Sequence, residues 1–103
     1  MAVDNLFRNL CFNSQGEQMD RLFASGRVRV ERIASSGQTS GIYDQEEDEW
    51  LVLLQGRAEL LLVESGERLI LERGDHLHIA AGCRHRVTYT SDDCLWLCVF
   101  WTE

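Results

Sequence analysis

No lysine occurs anywhere in this chain; its ten basic residues are all arginine. A side-chain amine is therefore missing, and with it any reaction that begins with a Schiff base on the protein. Basic charge is scarce overall, since seventeen carboxylates against ten arginines leave a formal charge of −7. A chain with that balance has no basic face to offer, so neither nucleic acid nor an anionic membrane surface is expected as a partner. Long apolar runs are missing too. No stretch reaches the roughly 20 apolar residues that cross a bilayer, and the opening MAVDNLFRNL lacks the basic-then-apolar layout of a secretion signal. Nor is there a disulfide framework. Cys11, Cys83, Cys94 and Cys98 are unevenly placed, and on one strand face Cys94 and Cys98 would stand about 13 Å apart, too far to bridge. Reduced thiols and a cytoplasmic location are the expectation.

What is present suits one globular domain: 103 residues, 45% of them apolar, enough for a single core. Leu6, Phe7 and Leu10 are spaced as on a short helix. Ser14-Gln15-Gly16-Glu17 has the form of a capping box, followed by Met19, Leu22 and Phe23 at helical spacing and by Gly26 as a stop. Residues 1–26 are therefore expected to form a helical arm. From Arg27 the period becomes two. Val28 and Val30 alternate with charged residues, and Ile33 falls out of phase, which predicts a bulge near Glu31-Arg32. Strands follow at Glu49–Leu54, Ala58–Val63, Arg68–Leu71, His76–Ile79, Arg84–Thr90 and Leu95–Trp101, separated by short glycine- or aspartate-bearing turns. Seven short strands without intervening helices predict an antiparallel sandwich or barrel over residues 27–103. The last strand, LWLCVFW, is apolar on both faces. Placed at a sheet edge it would need a cover, and a homodimer is expected.

Two spacings carry a family resemblance. Gly37, five residues, Tyr43-Asp44-Gln45, three residues, Glu49, six residues and Gly56 follow the frame G-x5-H-x-H-x3-E-x6-G. Gly74, five residues, Ala80-Ala81-Gly82, two residues, His85, three residues and Tyr89 follow G-x5-P-x-G-x2-H-x3-N. Both frames, in that order and 17 residues apart, resemble those of the cupins, in particular small single-domain bacterial cupins of the conserved-barrel type. The likeness extends from Val28 to Trp101. It implies an all-β double-stranded β-helix, or jelly roll, usually dimeric. In that family the two histidines and the glutamate of the first motif, with the histidine of the second, hold a divalent metal inside the barrel. Glu49 and His85 match ligand positions, whereas Tyr43 and Gln45 replace the two histidines.

The resemblance and the chemistry of these residues leave several functions open. One is a cupin with a degenerate metal site, binding a polar small molecule in a pocket of Tyr43, Gln45, Glu49, His85 and Tyr89. A second is a metal-dependent enzyme (oxygenase, isomerase or decarboxylase), with Gln45, Glu49 and His85 holding Zn, Fe, Mn or Ni. A third is a structural or interaction module whose barrel is only a core. Without metal, Glu49 and His85 could act as a general acid and base. If Leu77 and Ile79 face the core, His76 and His78 face away from it. Cys83 reads as a turn residue. Asp44, Glu46, Glu47 and Asp48 read as a solvated acidic loop, lacking the glycine of a calcium loop. Trp50, Trp96 and Trp101 are expected to cover the sheet or form a dimer seam.

Overall fold

Alternation of apolar and polar residues produces eight strands and no helix in the computed structural model, which describes residues 1–103. They are β1 Gln18–Ser25, β2 Val28–Ser35, β3 Asp48–Gln55, β4 Arg57–Leu62, β5 Arg68–Glu72, β6 His76–Ile79, β7 His85–Thr90 and β8 Cys94–Trp101. All pairings are antiparallel, in a five-stranded sheet of order β1-β2-β8-β3-β6 and a three-stranded sheet of order β5-β4-β7. Their inner faces share one core built from Leu51, Leu53, Ala58, Leu60, Leu71, Ile79, Cys94, Trp96, Cys98 and Phe100. This is the expected all-β jelly roll. No helix is long and apolar enough to cross a membrane.

Three expectations are corrected. The helical arm is not helical: residues 18–25 form β1, joined to β2 by a two-residue turn in which Gly26 takes a φ of +55°. A bulge between Arg21 and Phe23 shifts the alternation by one residue, so Met19, Leu22 and Phe23 acquire helix-like spacing on a strand. Second, β2 itself has no bulge. It pairs with β8 residue for residue, Val28 with Trp101 through Ser35 with Cys94. Ile33 looked out of phase because β2 carries apolar residues on both faces. Third, the apolar last strand is not an edge; β8 lies at the centre of the five-stranded sheet, between β2 and β3.

Residues 1–17 contain no strand, and a buried arginine fastens part of this segment to the sheet. The Arg32 guanidinium donates to the carbonyls of Leu6 and Arg8 at 2.8 Å each, and to Asp20 at 3.0 Å through Nε. The long connection between β2 and β3 is fastened differently. Gly37 N–H donates to Ser91 O, Ser40 N–H to Val87 O, and Tyr43 exchanges both backbone bonds with His85. Residues 37–43 thus run along β7 as a strap. At the far end of β3, Gly56 has a φ of +84°, and a Cβ there would lie 2.5 Å from Ser91 Oγ and 2.9 Å from Cys94 Cα. Only glycine fits where the two sheets turn past each other.

Candidate functional site

Period-two alternation decides which side chains reach the interior. Along β2 these are Arg29, Glu31 and Ile33; along β3 Glu49 and Leu51; along β8 Trp96, Cys98 and Phe100. Together with Leu60, Val87, Tyr43, Gln45, Glu47, Glu17 and Met19 they enclose a cavity of about 310 Å³. A wider, open groove of about 480 Å³ runs along β5 and β6, from Arg68–Leu71 to Gly74–Leu77. It contains none of Tyr43, Gln45, Glu49, His85 and Tyr89.

The strap and the β6–β7 turn deliver the candidates. Tyr43 N–H donates to His85 O at 2.7 Å and His85 N–H to Tyr43 O at 3.1 Å, while Gly82 N–H donates to Gln45 O at 2.9 Å. Gln45 Nε2 donates to Glu49 Oε1 at 3.1 Å, and the same oxygen lies 3.7 Å from His85 Nε2. Glu49 is 6% exposed and His85 3%. His85 stands behind Glu49 rather than among the lining residues. Its ring faces Tyr43 at a centroid distance of 5.4 Å, and Nδ1 lies 2.9 Å from the Cys83 carbonyl. A carbonyl only accepts, so Nδ1 carries a proton and Nε2 faces the carboxylate. Burial works against the charged imidazole, but Glu49 and the Cys83 carbonyl outweigh it and hold His85 above its ordinary value.

Tyr43, Gln45, Glu49 and His85 are thus brought together; Tyr89 is not. Counting from His85 in steps of two puts Tyr89 inside, but β7 bulges at Thr88, where the pairing with β4 shifts between Glu59 and Leu60. Tyr89 consequently pairs with Glu59 on the outer face and is 49% exposed. The second outcome that differs is Trp96, which lines the cavity instead of covering the sheet. His76 and His78 do lie outside. His78 meets Asp48 at 2.9 Å and stacks on Trp101, and His76 rests against Trp50. Glu47, assigned above to a solvated loop, lines the cavity, where Arg29 Nη1 donates to both its oxygens at 2.9 Å each. Arg29, Glu31, Glu17 and Cys98 are site residues that the motif frames do not contain. For Arg29, Glu31 and Cys98 the one sequence signal is alternation along β2 and β8, usable only once the inward face is known; Glu17, ahead of β1, carries none.

The donor set does not fit a divalent transition metal. An amide beside a carboxylate presents its nitrogen, so Gln45 turns a donor, not a lone pair, toward Glu49. Burial, then the charge of Glu17, raises the Tyr43 phenol, with Glu49 and Cys98 adding to the rise and a Ser40 hydrogen bond opposing it; a phenol coordinates well only when ionised. Burial, reinforced by Glu49, likewise holds the Cys98 thiol well above its ordinary value. That leaves Glu49 and His85, and no three His, Cys, Asp or Glu side chains converge on one point. Two protein donors are fewer than such sites use.

Residues 29–100 match the family model of the cupin domain. A protein from Ralstonia eutropha JMP134, provisionally named a mannose-6-phosphate isomerase, is 30% identical with a TM-score of 0.93, and the match covers 100% of both chains. A Cupin 2 conserved barrel domain protein from Salinispora arenicola CNS-205 is 25% identical with a TM-score of 0.75, over 100% of this chain and 90% of that one. An RmlC-like cupin from Desulfovibrio desulfuricans shares the fold at 20% identity and a TM-score of 0.81, over 98% and 96% of the two chains. No curated protein matches the chain. The two motif frames meet through the backbone bonds of Tyr43 with His85 and of Gly82 with Gln45, and the family model spans both of them: the chain belongs to the cupin family.

Proposed function

We propose that this cupin binds a polar small molecule in the barrel, in the place where metal-bearing members hold their ion. The observation that carries the reading is the cavity itself. A barrel serving only as a core would be filled by side chains, whereas here about 310 Å³ stays open beside a hydroxyl, an amide and a carboxylate from Tyr43, Gln45 and Glu49. That volume and that mixture of apolar wall with a few converging polar groups are typical of small-ligand sites. The test is a thermal-shift screen of sugars, polyols, amines and carboxylic acids on wild type and on Val87→Phe, which fills the cavity from β7. A ligand at a hundredfold excess over its Kd stabilises by about 2.7 kcal/mol, and the gain should vanish in Val87→Phe. No stabilisation by any member of the screen, or the same gain in both proteins, would sink the reading.

A second reading is acid–base catalysis on the bound molecule. It is favoured by the buried Glu49–His85 pair, in which the imidazole is held above its ordinary value. Glu49 faces the cavity and is the group that would take a proton from substrate, while His85, one layer back, would hold the carboxylate in register. An isomerase activity, as in the Ralstonia protein's provisional name, would need such a base. Glu49→Gln would abolish turnover with little change in ligand affinity if this reading holds, and weaken affinity alone if it does not.

We propose also that the chain forms a homodimer. Leu97, Val99 and Trp101 of β8 point away from the cavity, flanked by Val28 and Val30 on β2 and by Trp50 and Val52 on β3. This apolar face is only partly covered, and a second copy is the cover that a closed, symmetric assembly supplies.

A further inference from the structure

The cavity's charge says more about its occupant than its shape does. Four carboxylates line it, Glu17, Glu31, Glu47 and Glu49, against one guanidinium, Arg29. That guanidinium is engaged by two of those carboxylates, through Nε and Nη1. It donates to both oxygens of Glu47 at 2.9 Å and to Glu31 at 3.4 Å, and lies over the Phe100 ring at 3.9 Å from the centroid. The protein's own cation therefore shows what these walls hold well: a positive group between carboxylates, flat against an aromatic face. No lysine exists to add another. His85, when charged, compensates Glu49 from behind and still leaves the carboxylates in the majority.

Tyr43 lies in the field of two of these carboxylates. Glu17, whose one hydrogen-bond partner is the Ser35 hydroxyl, and Glu49 both act on the Tyr43 phenol, raising it in concert with burial. Glu31 and Glu49 are 7% and 6% exposed. Buried carboxylates in a partly apolar wall need a counter-charge close by; Glu31 has Arg29 and, at 3.8 Å, Arg21, and Glu49 has His85, whereas Glu17 has no cationic partner. Trp96, Phe100 and Tyr43 are the aromatic residues of the lining. An anionic occupant would meet four carboxylates, and the one guanidinium of the lining already serves two of them. A sugar phosphate would bring further negative charge into the same space.

We infer that the cavity is selective for a small organic cation, a primary ammonium or guanidinium on a short apolar body, seated between Glu17, Glu49 and the ring of Tyr43. This rests on the ligand-binding reading above and narrows it to one charge class.

The experiment titrates the full chain at pH 7 with four probes: 2-phenylethylammonium, the equally sized 2-phenylethanol and 3-phenylpropionate, and mannose 6-phosphate. The ammonium should bind at least tenfold more tightly than the alcohol, and the two anions should show no binding. Raising the salt from 0.05 to 0.5 M should weaken the ammonium and leave the alcohol unchanged. Glu17→Gln, at an exposed position, should weaken the ammonium severalfold and not the alcohol. If an anion or the alcohol binds as tightly as the ammonium and loses that binding in Val87→Phe, the charge inference is overturned while the cavity remains a ligand site. If no probe binds, or binding persists in Val87→Phe, the charge inference falls together with the reading beneath it.

Discussion

His85 stores part of the protein's stability in its protonation. Its value is raised in the folded state, against the pull of burial, by Glu49 and the Cys83 carbonyl. A group raised on folding stabilises most where both states are protonated, below an unfolded value of about 6.5. That stabilisation is lost as pH rises through the higher folded value. Chemical denaturation across this range should therefore show stability falling with pH, and His85→Gln should flatten the curve. NMR titration supplies the companion measurement: Glu49→Gln should move the His85 midpoint downward, and an unchanged midpoint would refute the pairing. Gly56 offers a second test at this scale. Gly56→Ala meets both a left-handed φ and backbone atoms within 3 Å, and should cost about 2–4 kcal/mol in equilibrium unfolding.

Among the elements, the strap and the bulges of β1 and β7 mark how far the sequence could be read. The strands from β2 to β8 were legible because hydrophobic alternation and turn residues agree along them, and the motif frames named Tyr43, Gln45, Glu49 and His85. What misled were single extra residues. One in β1 gives Met19, Leu22 and Phe23 the spacing of a helix, and one in β7 turns Tyr89 outward. A bulge adds one residue and inverts every side chain beyond it, and nothing local in Arg21-Leu22-Phe23 or Val87-Thr88-Tyr89 announces it. The position of β8 was hidden for another reason, since strand order is a long-range property that alternation does not encode. Two consequences can be measured. Tyr89→Ala should leave ligand binding unchanged and stability within about 0.5 kcal/mol. Arg32→Ala should release the N-terminal segment from β2, costing about 2 kcal/mol, with faster amide exchange at residues 6–10 and wild-type exchange in β3 and β8.

For the whole molecule, two faces of the five-stranded sheet carry two separate proposals. The inner face lines the cavity and the outer face is the dimer candidate, so they can be tested apart. Val99→Lys puts a charge at the middle of the outer face, where Val99 lies between Val30 and Trp50. Sedimentation should then show a monomer where wild type is a dimer, with ligand affinity unchanged within a factor of two. A wild-type protein that sediments as a monomer at micromolar concentration would overturn the assembly proposal and leave the cavity untouched. Tyr43→His/Gln45→His acts on the inner face alone. It returns two imidazoles to the frame, and one equivalent of divalent metal per chain by elemental analysis is the expected result.

That last variant depends on how the strap is attached. Tyr43 and Gln45 are held by their main chains, through the paired bonds between Tyr43 and His85 and the bond from Gly82 to the Gln45 carbonyl. None of these bonds involves the side chain at either position. The path of the main chain therefore does not depend on what residues 43 and 45 carry; a substitution there has to replace only the Gln45–Glu49 bond and the Tyr43–His85 ring contact. A cupin built this way can drift from one ligand class to another by point substitution, each intermediate remaining a folded protein.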